Sequence, residues 1–312
     1  MIRHRTIDTN GIAMHIAEAG DESAPLVVLC HGFPELWFSW RHQLSALAGA
    51  GYYAVAPDQR GYGRTDGPDG VDEYDIVHLT DDLAGLLNAL GRERAVFVGH
   101  DWGSIVVWNL AQRLPSLVEA VVGMSVPFTP RGSRGLVSAL RDVVGDRFFY
   151  ILHFQEPGVA DAELGKDPRE AMRRFLAGHV AMLSSLPAEG TTMWDWILPA
   201  DKLPAWLSAD ELDVFGSEFE RTGFTGGINW YRNFDRNWEL SEEYAQRKVE
   251  VPAAFIAGAR DPVLAIAPPS SMDGWVTDLR VMELIDGAGH WVQQEKPHET
   301  NAALLRFLAT LR

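Results

Sequence analysis

Cysteine is almost absent from this chain, whose 312 residues include only Cys30. A single thiol cannot form an internal disulfide, so we expect no covalent cross-link within the fold. The opening residues 1–6 contain no apolar signal segment. Together these two absences predict a protein of the reducing cytoplasm.

Positive charge is also scarce. The 27 lysine and arginine residues are outnumbered by 43 aspartate and glutamate residues, for a formal charge of −16 at pH 7. Such a surface repels the phosphates of nucleic acids and anionic membranes. No apolar run approaches the roughly 20 residues that a membrane-spanning helix needs. We therefore expect no nucleic-acid partner and no integral membrane segment.

Short, apolar, β-branched runs alternate with segments of helical periodicity in the first part of the chain. These patterns predict strands at 25–30, 52–56 and 95–98 and helices at 40–47 and 78–90. The alternation is typical of a largely parallel α/β sheet flanked by helices. Asn10-Gly11 joins two earlier strand segments, 3–8 and 12–17, and predicts that the sheet begins with an antiparallel hairpin.

The pattern changes after a strand predicted at 120–125. From about Thr129 to Arg247 there are helical patterns, tryptophans and loops, but no convincing core strand. Patterns typical of the core then return at 252–256, at 280–284 and in a final helix from about His298. We therefore predict an α/β core formed by residues 1–128 and 248–312, with an inserted helical cap formed by residues 129–247.

A candidate nucleophile lies where a buried strand gives way to a helix, in residues 98–103. Gly99 and Gly103 flank the centre of this segment, and such small residues let neighbouring backbone pass close to a strained turn. The residue at the turn is Asp101, whose carboxylate is ionised at neutral pH and suits attack on saturated carbon. Taken alone, an aspartate before a helix is more often a helix cap. Its role therefore depends on whether partners exist elsewhere in the chain.

Two such partners follow predicted strands. Asp261 precedes a proline and, taken alone, could equally mark a simple turn. His290 lies between Gly289 and Trp291 after the next strand. Asp101, Asp261 and His290 thus occur in the order nucleophile, acid, histidine that is known for catalytic triads on α/β sheets. We predict that His290 is a general base and that Asp261 orients it.

The segment 31–34 follows another predicted strand and supplies a candidate oxyanion hole. The backbone N–H groups of Phe33 and Trp102 can converge on one oxygen and stabilise a charge that appears only in a tetrahedral intermediate. An ordinary strand-to-helix turn would have the same pattern. The Phe33-Pro34 bond can be cis or trans in either case.

These motifs resemble those of the soluble epoxide hydrolases of the α/β-hydrolase superfamily, and the resemblance spans nearly the whole chain. The core motifs are residues 31–35, 58–63, 99–103 and 289–291. Several of them are shared with dehalogenases. The cap segments 150–158 and 229–233 resemble those that carry a pair of tyrosines in the epoxide hydrolases, which implies that Tyr150 and Tyr231 bind the substrate oxygen.

The resemblance implies an α/β-hydrolase fold and an enzyme that converts an apolar epoxide and water to a vicinal diol. Asp101 would form an ester with an oxirane carbon while the phenols of Tyr150 and Tyr231 bind and protonate the oxygen. His290, oriented by Asp261, would then activate the water that hydrolyses the ester. This chemistry requires no metal and no organic cofactor.

Two other functions stay open from the sequence. A haloalkane or haloacid dehalogenase would use the same triad but would give the paired tyrosines no purpose. A ligand receptor on the same fold would need no triad, since a fold alone does not establish a function. His100 and His153 have no predicted role. The physiological epoxide, its regiochemistry and the oligomeric state, including a homo-oligomer, are also undetermined.

Overall fold

A mixed eight-stranded sheet forms the centre of the computed structural model, which describes residues 1–180, 188 and 190–312. The strands of the described residues are β1 (Arg3–Thr9), β2 (Ile12–Ala19), β3 (Leu26–Cys30), β4 (Tyr53–Pro57), β5 (Ala95–His100), β6 (Val118–Met124), β7 (His179–Val180), β8 (Ile197–Leu198), β9 (Ala253–Gly258) and β10 (Leu279–Ile285). All of these except β7 and β8 belong to the eight-stranded sheet. The order across the main sheet is β1-β2-β4-β3-β5-β6-β9-β10. Its later strands come from the far end of the chain, so both ends of the sequence contribute to one core.

The helices are α1 (Arg41–Gly49), α2 (Ile76–Ala89), α3 (Trp102–Arg113), α4 (Leu136–Val144), α5 (Tyr150–His153), α6 (Val159–Leu164), α7 (Pro168–Ala177), α8 (Met193–Trp196), α9 (Ala209–Thr222), α10 (Thr225–Arg232), α11 (Phe234–Leu240), α12 (Val292–Glu295) and α13 (Pro297–Ala309). In the described parts of the chain, no helix is both long enough and apolar enough to cross a membrane.

The sheet begins with the predicted hairpin. Asn10 and Gly11 have φ angles of 45° and 78°, the left-handed pair that a tight two-residue hairpin turn requires. Strands β1 and β2 pair antiparallel, as do β2 and β4, whereas the remaining neighbours pair parallel. The prediction of a mostly parallel sheet with an antiparallel start is confirmed.

Two apolar layers cover the sheet, one on each face. Alternate residues of β3 point to opposite sides, so Val28 joins the cluster that contains α2 and α3, whereas Val27 joins the cluster that contains α1 and α13. The central strands β3, β4 and β5 are buried along their whole length. Burial on both faces explains their continuous apolar sequences and holds the carboxyl ends of the strands rigidly.

Between β6 and β9 the described residues form α4 to α11 and a short antiparallel ladder of β7 with β8. This ladder does not join the main sheet. The expectation that no core strand occurs here therefore holds for the described residues, and we keep 129–247 as the proposed extent of the cap. Helices α4 to α11 contribute aromatic residues such as Phe215 and Trp230 to the same buried cluster as α2 and α3.

The cap is held on the core at several places by polar contacts. The Trp230 indole N–H donates to the Arg60 carbonyl at 3.1 Å, and Arg41 pairs with Glu211 at 2.8 Å. At a third place two backbones touch, because a Cβ atom added to Gly226 would lie 2.2 Å from the Gly61 carbonyl oxygen. Only glycine fits there, so the position of α10 against the core depends on this close approach.

Replacing Gly226 with alanine should loosen the cap. The added methyl group collides with backbone, which cannot rotate away, so we expect Gly226→Ala to lower the free energy of unfolding by about 1–3 kcal/mol. Gly49→Ala is the matched control, since a Cβ atom there would meet nothing within 4 Å. Thermal unfolding followed by circular dichroism measures both variants. Equal midpoints for Gly226→Ala and the unsubstituted protein would contradict this account of the contact.

Candidate active site

Asp101 lies at a sharp turn between β5 and α3. Its φ and ψ angles are 54° and −119°, an unfavourable conformation for a residue with a side chain. The turn is tightly enclosed, because a Cβ atom on Gly103 would lie 2.0 Å from the Cys30 carbonyl oxygen. The Asp101 side chain makes no capping hydrogen bond to α3. Its carboxylate instead points towards residues of other loops.

His290 and Asp261 approach Asp101 from the ends of β10 and β9. The His290 Nε2 atom is 3.6 Å from Asp101 Oδ2, and its Nδ1 atom is 3.1 Å from Asp261 Oδ2. The Asp261 side chain is fully buried and also accepts a hydrogen bond from the Val263 backbone N–H at 2.9 Å. The structure thus brings together the three residues predicted to form a triad, with the histidine between the two carboxylates.

Neighbouring charges shift the pKa values of His290 and Asp261. Burial lowers the pKa of His290, but the negative charges of Asp261 and Asp101 raise it by more, so the pKa lies well above its usual value. Burial raises the pKa of Asp261, whereas the charge and hydrogen bond of His290 outweigh that effect and the pKa is lowered. The raised pKa therefore favours a protonated His290 in the resting site.

The Phe33 backbone N–H donates to Asp101 Oδ1 at 2.8 Å, from the loop that follows β3. The Phe33-Pro34 peptide bond in this loop is cis, which answers the question that the sequence left open. Trp102, the other predicted donor, is the first residue of α3 and directly follows Asp101 in the chain. One predicted oxyanion donor therefore already contacts the predicted nucleophile.

Tyr150 and Tyr231 face Asp101 from the cap. They belong to α5 and α10, and their ring centroids are 5.8 Å apart. Tyr150 stacks on Trp196 at 4.8 Å, and Tyr231 packs edge-on against Phe33 at 5.3 Å. Burial, reinforced by the negative charge of Asp101, raises the pKa of both phenols well above the usual value. Both hydroxyl groups are therefore protonated at neutral pH and can donate hydrogen bonds.

A cavity of about 580 Å³ is lined by Asp101, His290, Tyr150 and Tyr231. Its walls are mainly apolar and include six aromatic side chains outside the tyrosine pair: Phe33, Phe149, Phe175, Trp196, Trp206 and Trp291. Four of these, Phe149, Phe175, Trp196 and Trp206, come from the cap and were not singled out in the sequence. Nothing in the local pattern distinguishes a tryptophan that lines a cavity from one that packs in a core.

A second pair of residues that the sequence did not connect lies beneath the site. Glu35 and His100 are fully buried, with 2.6 Å between Glu35 Oε2 and His100 Nδ1. Burial raises the pKa of Glu35, but His100 outweighs this effect and lowers it to about 2. The other nitrogen of His100 bonds the His290 carbonyl oxygen at 2.8 Å. This hydrogen-bonded pair joins the loop after β3 to the loop that carries His290.

Glu35 and His100 each lie in one of the recognised core motifs, but their spacing in the chain does not reveal that they pair. His153 lies elsewhere, with its Nε2 atom 3.1 Å from Glu163 in the cap, and it does not line the cavity. Among the described residues, no three His, Cys, Asp or Glu side chains are grouped closely enough to hold a metal ion.

The sheet order and the strained turn at Asp101, on which the loops carrying Phe33, Asp261 and His290 converge, define an α/β hydrolase. The family profile for the alpha/beta hydrolase fold matches residues 25–186. Epoxide hydrolase A of Mycobacterium tuberculosis is 50% identical to this chain, over 98% of the chain and 97% of that protein. Epoxide hydrolase 2 of Siraitia grosvenorii is 40% identical, with 98% of each chain covered.

Solved structures show the same relationship. The crystal structure of epoxide hydrolase A from Mycobacterium thermoresistibile superimposes with a TM-score of 0.95 at 52% identity, covering 99% of this chain and 98% of that one. The chain therefore belongs to the epoxide hydrolase family of the α/β-hydrolase superfamily. The fold class and the family predicted from the sequence are confirmed.

The proton affinity of His290 should depend on the charge of Asp101. We expect nuclear magnetic resonance titration to give a pKa for His290 well above 6.5, and Asp101→Asn to lower it because one of the two charges that stabilise the imidazolium is removed. Asp278→Asn, which removes a carboxylate that pairs with Arg280 on the surface, is the control and should leave the pKa of His290 unchanged.

The same shift predicts how stability depends on pH. Because the folded pKa of His290 is raised, its contribution is fully present below the unfolded value of about 6.5 and is lost as pH rises through the folded pKa. In Asp101→Asn the folded pKa is lower, so this loss should be smaller and complete at a lower pH. Identical titration curves for His290 in the two proteins would show that Asp101 does not act on it.

Proposed function

We propose that this enzyme hydrolyses an apolar epoxide to a vicinal diol through an ester on Asp101. The observation that carries the proposal is that Asp101 and His290 of the core and Tyr150 and Tyr231 of α5 and α10 line one largely apolar cavity. A carboxylate nucleophile and two phenolic donors match the two ends of an oxirane C–O bond. The names of the relatives support the same activity.

In the first step a carboxylate oxygen of Asp101 attacks one oxirane carbon while the C–O bond on its far side breaks. The bonding electrons pass to the oxygen, which Tyr150 and Tyr231 hydrogen-bond as its charge grows. One phenol gives up its proton, which makes the oxygen the hydroxyl group of an ester intermediate. The raised pKa values of the two phenols mean that such a proton is held until an alkoxide, a much stronger base, is present.

Ester formation also changes His290. Once Asp101 is esterified it has no charge, so one of the two carboxylates that stabilise protonated His290 is lost and the pKa of His290 falls. The imidazole can then release its proton, which replaces the one given up by tyrosine. The nucleophile, by reacting, thus converts its neighbour into the general base that the second step needs.

In the second step neutral His290, oriented by Asp261, removes a proton from water, and the water oxygen attacks the ester carbonyl of Asp101. The N–H groups of Phe33 and Trp102 hold the oxyanion that develops on the former carboxylate oxygen. The bond between the Asp101 carbonyl carbon and the diol oxygen breaks, and the diol oxygen takes a proton from His290. The carboxylic acid left on Asp101 passes its proton to His290, which restores the carboxylate and the protonated imidazole. The atoms balance with epoxide and water alone, so no metal or organic cofactor is part of this proposal.

The proposal is tested by identifying the product and by locating an oxygen isotope label in the enzyme. We expect styrene oxide to be converted to its diol, and one turnover in water enriched in heavy oxygen to place the label in the Asp101 carboxylate, detected by peptide mass spectrometry. Release of chloride or fluoride from haloalkanes or haloacids without diol formation would instead establish a dehalogenase. Absence of both turnover and label would indicate a ligand receptor. Asp101→Asn is the control for the position of the label.

The role of His290 has its own test. His290→Gln should form the ester but hydrolyse it at least about a hundredfold more slowly, because the general base is missing. The trapped species adds the mass of the epoxide to the peptide that contains Asp101. His298→Gln, on the exposed side of α13, is the matched control and should turn over normally. Full turnover by His290→Gln would refute the assigned role.

A further inference from the structure

The proposed reaction requires Tyr150 and Tyr231 to meet one oxygen atom, although the two residues come from different cap segments. Tyr150 begins α5, a helix of only four residues, and Tyr231 lies near the end of α10. Helices this short are not stable alone. Contacts between the two helices must therefore set the separation of the hydroxyl groups.

Arg232, the residue after Tyr231, makes such contacts. Its Nε atom donates to the Phe154 carbonyl at 3.0 Å, directly after α5, and its Nη2 atom donates to the Glu156 carbonyl at 3.3 Å. These two carbonyl groups belong to the turn through which the chain leaves the helix of Tyr150. Arg232 therefore ties the end of α10 to the end of α5.

The remaining donors of Arg232 are also engaged. Nη1 donates to Asn229 Oδ1 at 2.8 Å and to Asp161 Oδ1 at 3.4 Å, and Nη2 donates to Asp161 Oδ2 at 2.6 Å. A guanidinium has five N–H donors, so every one has an acceptor here. The side chain is only 5% exposed, unlike that of Arg169 on the cap surface, which is 46% exposed. Its orientation is thus determined on all sides.

Asp161 provides the charge that holds this guanidinium. It lies on α6, and its Oδ2 atom also accepts the Gly158 backbone N–H at 3.1 Å. Burial raises the pKa of Asp161, but hydrogen bonds from Arg232 and Thr225 outweigh that effect and lower it. Arg232 and Thr225 are the last and first residues of α10. One carboxylate therefore engages both ends of the helix that carries Tyr231.

Gln155, just after α5, makes a second link between the two segments by donating a hydrogen bond to α10. The Gln155 side-chain amide donates to the Ile151 carbonyl at 2.8 Å, within the helix of Tyr150, and to the Tyr231 carbonyl at 3.1 Å. Arg232 and Gln155 thus cross-link the two segments at Tyr231 and at the residue that follows it. Neither residue contributes to the lining of the cavity.

We propose that Arg232, held by Asp161, is a positioning residue that sets the separation of the two tyrosine hydroxyl groups and thereby the rate of epoxide opening. This inference rests on the proposed function. Arg232 touches neither the substrate nor the reacting atoms and acts only through the tyrosine pair. Ester hydrolysis relies on Asp101, Asp261 and His290 in the core, so it should not depend on Arg232.

The test separates the two chemical steps. Arg232→Lys keeps the positive charge but supplies a single ammonium in place of the planar fork, and Asp161→Asn keeps the shape but removes the countercharge. In single-turnover rapid-quench experiments with styrene oxide, both variants should form the ester about ten to one hundred times more slowly, the usual cost of a small misplacement of catalytic groups. Both should hydrolyse it within about twofold of the normal rate.

Arg169→Lys is the matched control, because Arg169 also links two cap helices through carboxylates but lies far more in solvent. It should leave both steps unchanged. Ester formation at the normal rate in Arg232→Lys would overturn the proposal, as would an equal slowing of both steps with a lower thermal midpoint, which indicates a purely structural role. If Arg232→Lys does not fold, Asp161→Asn decides by the same criteria.

Tyr150→Phe and Tyr231→Phe distinguish this inference from the function on which it rests. If these variants form the ester at the normal rate, the proposed role of the tyrosine pair is wrong. If they are slow while Arg232→Lys and Asp161→Asn are not, the role of the pair stands and only the positioning role of Arg232 is wrong.

Discussion

The carboxylate of Asp101 is held at a strained turn between an N–H donor and an imidazole, and the other parts of the site are arranged around it. Phe33 donates to one oxygen at 2.8 Å, and His290 lies 3.6 Å from the other. The strain is maintained because β5 is buried and α3 starts at once, so the turn has no room to relax. The buried, largely parallel sheet therefore holds the turn at Asp101 in the strained conformation.

Electrostatics links the two proposed steps through the same group. While Asp101 is ionised it stabilises protonated His290, and once Asp101 is esterified that stabilisation is lost. Asp261 remains and orients the imidazole throughout, because it is fully buried and bonded by the Val263 N–H. The order of events then follows from charge alone, without a conformational change of the core.

In the proposed mechanism the cap has a different task, which is to place two neutral hydrogen-bond donors near a charged nucleophile. Burial keeps the phenols of Tyr150 and Tyr231 protonated, and aromatic neighbours hold their rings. Their helices are short, and residues outside the cavity, Arg232 and Gln155, link them by hydrogen bonds, which is why we propose that such links set the position of the pair.

The sequence by itself determined the local features of this protein. Apolar runs specified the strands, Asn10-Gly11 specified the hairpin, and the flanking glycines specified a turn at Asp101, because each depends on neighbours in the chain. The order of Asp101, Asp261 and His290 could also be read, since the carboxyl ends of parallel strands converge on one edge. The tyrosine pair was found only through the resemblance of the cap segments to a known family.

Only the tertiary structure decided the cis form of Phe33-Pro34, the pairing of Glu35 with His100 and the placement of Trp196 and Trp206 in the cavity wall. It also decided that Arg232 reaches the helix of Tyr150. All of these features except the cis bond join residues far apart in the chain, and no local pattern records which distant side chains will pack together. Backbone conformation is governed mainly by adjacent residues, whereas contacts of this kind exist only once the whole core and cap have assembled.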